Sequence, residues 1–196
     1  MTARTAAVGR KRDGVEIEVT KVVAGHRREA AWHLYCEAFD ELRAAAVQRH
    51  LMHRREFDEA MADERVVKVL GVGGDPTVVA ALATYTNELE AMPLISPEYF
   101  ARRWPDLYAT RRIWYLGFFA IRPEHRRSGA FEAVIEDMWQ VVQAGHGIAA
   151  LDICRRNEEL GLAQAIEQTL ASLSPGVTAS RIDEQAYWVY TAPPTT

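Results

Sequence analysis

Between a long apolar run and an amphipathic stretch the chain reads Phe119-Ala-Ile-Arg-Pro-Glu-His-Arg-Arg-Ser-Gly-Ala-Phe131. The first amides of a helix have no partner within it and stand at the positive end of its dipole, so a turn rich in Arg and Gly at that place is suited to grip an anionic pyrophosphate. Gly129 would let the backbone approach a phosphate closely, and Arg126 and Arg127 add screening charge and bidentate donors. The same residues also make a solvated basic turn that merely caps a helix, and local chemistry does not separate the two readings. Other chemistries have less to stand on. Of the histidines, His26, His33, His50, His53, His125 and His146, only His50 and His53 lie three apart, and with no third ligand or zincin glutamate nearby they read as helix-end or surface residues. Cys36 and Cys154 make neither a disulfide framework nor a zinc pattern and are expected as reduced, buried thiols, so no metal is expected.

The elements that must position this turn follow from periodicity. Strand patterns occur at 15–23, 66–72, 77–86, 113–121, 148–153, 177–182 and 186–190. The second and third are joined by Gly71, Gly73, Gly74, Asp75 and Pro76, which is hairpin chemistry. Residues 113–121 are almost continuously apolar and should lie centrally, covered on both faces. Helical spacing appears around Ala31, Leu34, Tyr35 and Ala38, over 41–62 with a break near 50–53, over 129–144, and over 158–173. Residues 87–111 fit neither period and read as an irregular insertion with a short helix near 97–104; its apolar and aromatic residues would wall a cleft or form a satellite core. The expectation is an α/β domain over 15–191 with flexible tails at 1–14 and 192–196. It has one mixed sheet of six to seven strands, helices on both faces, and central strands parting near Phe119.

Composition agrees with one globular domain: 196 residues, 48% hydrophobic and 26% charged. A net charge of -4 gives no basic excess to drive sequence-independent nucleic-acid binding. No apolar run is long enough to span a membrane, and the polar start lacks the apolar middle of a secretion signal, so a cytoplasmic protein without membrane contact is expected.

The pattern Ile121-x-Pro123-x-x-Arg126-x-x-Gly129 resembles the acyl-CoA-binding motif of the GCN5-related N-acetyltransferase (GNAT) superfamily, and the element order resembles that family over about 15–190. The resemblance implies direct transfer of an acyl group from acetyl-CoA or another acyl-CoA to an amine, without a metal. It implies Phe119, Ala120 and Ile121 for the pantetheine arm. For the pyrophosphate it implies Arg126, Arg127, Ser128, Gly129, Ala130 and Phe131, and it adds Asn157 after the following strand. Two departures stand out. Phe131 replaces the usual Gly or Ala, and reads as the first apolar residue of a helix face shared with Val134, Ile135 and Met138. The helix after Asn157 carries Leu160, Ala163, Gln164 and Ile166 but no Tyr to protonate a leaving thiolate, so a general acid is unassigned.

Such a transfer needs an amine without its proton and a polarised thioester carbonyl. Candidate bases are Glu88 and Glu90 after the second hairpin strand, Tyr115 on the central strand, and Asp152 on the next. A tyrosine of ordinary pKa is a poor base at neutral pH, which favours a carboxylate or a water chain. A small-molecule amine is the expected partner, and a homodimer is compatible with the fold. Glu56-Phe57-Asp58 with Asp63, together with the insertion, is faintly similar to GNAT-fold synthases that draw long acyl chains from acyl carrier protein. A catalytically silent binding module is the third reading, favoured by Phe131 and the absent Tyr.

Overall fold

Alternating β-branched residues and a Gly-rich turn make antiparallel neighbours, and a buried apolar run followed by an amphipathic helix makes a parallel crossover. The computed structural model, which describes residues 10–12, 15–47, 51–73, 78–125 and 129–192, has this arrangement. Its elements begin with β1 (Arg10–Arg12), β2 (Val15–Thr20), α1 (Gly25–Phe39), α2 (Leu42–Ala45), α3 (Arg54–Ala62), β3 (Val67–Val72) and β4 (Val79–Thr86). They continue with α4 (Pro97–Arg103), α5 (Pro105–Ala109), β5 (Ile113–Ile121), α6 (Ala130–Ala144), β6 (Ile148–Leu151), α7 (Arg155–Glu159) and α8 (Leu162–Leu173). The sheet order is β1-β2-β3-β4-β5-β6, antiparallel throughout except for the parallel β5–β6 pair joined by α6. Among the described residues no helix is long and apolar enough to cross a membrane.

One face of the sheet packs Leu70, Leu82 and Ala120 against Ala31, Leu34 and Tyr35 of α1 and Phe57 and Met61 of α3. The other packs Val69, Ala81, Ala83 and Leu116 against Ala130, Val134 and Met138 of α6, with α8 lying on α6. The residues after β4 form a satellite core under the insertion, where Leu89 and Phe100 meet Ile113 and Tyr115. The helical stretch 41–62 breaks as expected, and the backbone N–H of His53 donates to Glu56 Oε2 at 2.6 Å at the start of α3. His50, Gly74, Asp75 and Pro76 lie outside the described residues.

Five expectations are corrected. Five of the seven expected strand stretches are strands, but 177–182 and 186–190 carry no secondary structure. The second of these is apolar on both faces and is not covered by the described residues. Residues 10–12, expected within a tail, pair with β2 through Arg10↔Ile17. The strand expected at 148–153 stops at Leu151 and is a half-buried edge rather than a buried interior strand. The helix expected over 158–173 is divided by Gly161, whose φ of 84° suits glycine and starts α8 afresh. Cys36 and Cys154 are free and half-buried, and burial pushes the Cys36 thiol up.

Lys68 of β3 is fully buried, and its Nζ donates to the carbonyls of Lys21 at 2.7 Å and Asp63 at 2.6 Å. Burial pushes its ammonium from the ordinary 10.5 down to about 8, against the attraction of Asp63 and Glu64. Between those values the folded chain binds fewer protons than the unfolded one. The stability this adds is complete above 10.5 and is lost as the pH falls through 8. Tyr85 and Tyr115, both raised by burial, act oppositely: their contribution is full below 10.0 and is lost above it. Stability in urea titrations is therefore expected to climb by about 1–2 kcal/mol from about pH 7.5 to about pH 9.5 and to fall at higher pH. Lys68→Met is expected to flatten the climb, and a climb that survives this change would assign it elsewhere.

Candidate active site

The parallel pairing of β5 with β6 runs from Ile113↔Ile148 to Leu116↔Leu151 and stops. Among the described residues β5 continues through 117–121 paired only with β4, so its other edge is open to them from Gly117 onward. The parting begins at a bulge. Thr84 pairs with Phe118 and Tyr85 with Leu116, leaving Gly117 as the extra residue, and a bulged strand bends at that point. A Cβ on Gly117 would stand 2.8 Å from Thr84 Oγ1 and 3.3 Å from Met92 Sδ, which is why the position carries no side chain. The bulge also changes what β5 presents. Tyr115 faces the satellite core, whereas Phe118 and Ala120 beyond the bulge face the α1 side and Phe119 and Ile121 face α6.

Past Ile121 the chain is held tightly. The backbone N–H of Arg122 donates to Ala80 O at 2.9 Å, its Nε donates to Val79 O at 2.9 Å, and its guanidinium pairs with Glu37 of α1 at 3.2 Å. His125 N–H closes a short turn on Arg122 O at 2.9 Å. Arg126, Arg127 and Ser128 lie outside the described residues. Gly129 caps α6 with φ 71°, a left-handed conformation that favours glycine, and its carbonyl accepts the N–H of Ala133 at 2.9 Å. Ala130 is buried against the sheet. Phe131 is half-buried and sets its ring edge-on to Phe119, with centroids 5.2 Å apart, so its ring packs against β5. The open edge of β5 and the glycine-started N-terminus of α6 thus belong to one crossover connection.

Across the parting, two of the candidate catalytic residues form one unit. Asp152 follows Leu151, which pairs with Leu116, and its Oδ1 accepts the phenolic hydrogen of Tyr115 at 2.7 Å. Burial first, then this bond to Asp152, holds the Tyr115 hydroxyl far above the usual phenol range, so it is a fixed neutral donor and not a base. Asp152 itself is solvent-exposed. The other carboxylates are engaged elsewhere. Glu88 pairs with Arg111 at 3.1 Å, and Glu90 accepts from Tyr108 Oη at 2.5 Å, a bond that lowers its carboxyl below the ordinary range. Asn157 is half-buried in α7, the element that leads away from Asp152. Arg122 and Gly117 were not among the candidates drawn from sequence. A lone glycine inside an apolar strand run is the signal that marks such a bulge. Among the described residues no cluster of three metal-ligating side chains occurs.

No protein-family model and no curated protein sequence matches the chain. Solved structures do. A possible acetyltransferase from Clostridium difficile superposes with a TM-score of 0.54 at 14% identity, covering 89% of this chain and 99% of that one. An aminoglycoside acetyltransferase from an uncultured soil metagenomic sample, in complex with sisomicin, gives 0.52 at 9% identity over 91% and 98%. AAC(6')-Iy, in complex with a bisubstrate analogue that joins CoA to an acetylneamine, gives 0.51 at 10% identity over 88% and 99%. The chain therefore shares the fold of these solved acetyltransferases.

Proposed function

We propose that the protein is an acyl-CoA-dependent N-acyltransferase that moves an acyl group, with acetyl-CoA as the expected donor, directly to the amine of a small molecule. The observation that carries this reading is a β5 edge freed at Gly117 on the strand that precedes α6, the helix started by the left-handed Gly129. Peptide groups of Phe119, Ala120 and Ile121 are available to a pantetheine arm lying along that edge. The first amides of α6, with Ala130 and Phe131 behind Gly129, suit the pyrophosphate. Arg126, Arg127 and Ser128, which lie outside the described residues, and Asn157 of α7 are assigned to the donor by the family resemblance. The neighbours that bind a CoA conjugate and an aminoglycoside support a polar amine as acceptor.

In this reading Asp152 takes the proton from the attacking amine, directly or through one water, while Tyr115 holds the carboxylate in place. Attack on the thioester carbon then expels the CoA thiolate. Glu88 and Glu90, tied to Arg111 and Tyr108, shape the insertion side of the cleft. Calorimetric titration with acetyl-CoA and longer acyl-CoAs, followed by turnover on a panel of aminoglycosides and simpler amines, tests the proposal. Binding with turnover on a free amine supports it. Turnover only from acyl carrier protein would point to a synthase, and binding without any turnover to a silent module.

A further inference from the structure

The insertion between β4 and β5 is tied down at both ends. At its start the hydroxyl of Thr86, fully buried, donates to Arg65 O at 2.7 Å and accepts the N–H of Glu88 at 2.9 Å. At its far end Arg111 pairs with Glu88 at 3.1 Å, and the Arg111 carbonyl accepts a hydrogen bond from Asn87 Nδ2 at 2.9 Å. Between these ties one turn of 3-10 helix, Leu89–Ala91, buries Leu89 against Ile113 and Tyr115 of β5 and closes with the N–H of Met92 on Leu89 O at 3.0 Å. This turn delivers Met92 to the bulge. Its sulfur would stand 3.3 Å from a Cβ on Gly117, so the thioether lies over the β5 backbone at the residue where β5 and β6 part. The register that pairs Leu116 with Leu151 makes Gly117 and Asp152 the next residues on the two sides of that parting.

The acyl-transfer reading, on which this inference rests, then locates the acyl group. A donor whose arm follows Phe119 to Ile121, and whose carbonyl carbon must come within reach of an amine at Asp152, carries its acyl group beside Gly117. Three side chains bound that place. Phe118 is held on the α1 side by Tyr35 and Phe39, with ring centroids 4.9 and 6.1 Å away, and Phe119 is held on the α6 side by Phe131 at 5.2 Å. Rings interlocked in this way resist displacement. The third side chain is Met92, half-buried and unbranched, a type that fits its shape to the space it closes. We propose that Met92 sets the acyl-chain length, closing the space over Gly117 so that the donor is limited to short acyl groups such as acetyl and propionyl. A longer chain has to push the thioether out of its packing against the satellite core. The insertion thereby has a role in the site, since its first turn carries the stop, and long-chain donors of the synthase kind are disfavoured.

Calorimetric titration of the full chain with CoA, acetyl-CoA, propionyl-CoA and hexanoyl-CoA tests this without any acceptor. Wild type is expected to bind acetyl-CoA and propionyl-CoA with similar affinity and hexanoyl-CoA about tenfold more weakly or worse. Met92→Ala is expected to erase that difference, strengthening hexanoyl-CoA binding about tenfold while the affinity for acetyl-CoA changes little. Met92→Leu, which keeps most of the bulk, is expected to retain the wild-type preference. Leu89→Ala loosens the same satellite core away from Gly117 and is expected to lower the melting temperature without changing the ratio of the two affinities. Should Met92→Ala melt below the titration temperature, Met92→Val, which shortens the side chain less, gives the same ratio. Hexanoyl-CoA bound by wild type as tightly as acetyl-CoA, a ratio unmoved in the folded Met92 variant, or one moved equally by Leu89→Ala would each overturn the proposal, while binding of CoA left the acyl-transfer reading standing. A chain that bound neither CoA nor acetyl-CoA would overturn that reading and this inference together.

Discussion

Gly129→Val is expected to weaken acetyl-CoA binding at least tenfold, about 1.4 kcal/mol, while leaving the fold intact. Gly129 starts α6 at φ 71°, where an L residue is disfavoured by about 1–2 kcal/mol and a β-branched one by more. The chain can escape that strain only by turning the first amides of the helix away from the direction in which a phosphate would approach. The Val methyls would then occupy part of the space the bare backbone leaves open. Arg127→Ala removes one guanidinium whose attraction is screened by water and salt, so its effect is expected at half that size or less. Calorimetry on both variants, with melting curves to show that each is folded, gives the ranking. Equal affinity of wild type and Gly129→Val would make this turn an ordinary helix start.

Asp152→Asn is expected to lower kcat by a hundredfold or more with little change in the affinity for acetyl-CoA, because a proton acceptor at the amine contributes about 10²- to 10⁴-fold. Tyr115→Phe deletes only the hydroxyl whose hydrogen reaches Asp152 Oδ1 at 2.7 Å, and is expected to lower kcat about tenfold through loss of that orientation. Tyr115 is also buried in the satellite core beside Phe100, so Phe, which keeps the ring, is the informative replacement. Steady-state rates at saturating acyl-CoA measure both. If Asp152→Asn kept wild-type kcat, the role would pass to another carboxylate, and Glu88→Gln would be the next variant to assay.

What the sequence made legible was whatever short-range chemistry determines. The apolar run 113–121 announced the strand at the centre of the site, the hairpin glycines announced β3–β4, and Gly129 announced the helix start. The pairing of Tyr115 with Asp152 was not legible, although both were named, because it depends on the parallel register Leu116↔Leu151, set by α6 rather than by either strand. The bulge at Gly117 passed unnoticed for a related reason: its cause is the crowding of Thr84 and Met92, residues remote in the chain. The last two strands failed differently. Their residues have the right pattern, but pattern cannot supply a neighbour, and residues 186–190 have none within the described chain.

The strand order also bears on how the molecule is assembled. From β1 to β5 each strand lies beside the one before it in the chain, so pairing can grow by adding successive antiparallel neighbours. The β5–β6 contact is of another kind: it is parallel, four residue pairs long, and must wait for α6 to cross over and dock. Long-range pairing of this sort forms late, because the chain entropy of closing the crossover is lost before the contact is gained. The piece that carries Asp152 and Asn157 is thus expected to join the sheet after β2 to β5 have paired. A donor molecule that touches both walls of the parting would brace the β5–β6 contact, so occupancy of the cleft and completion of the fold become linked events.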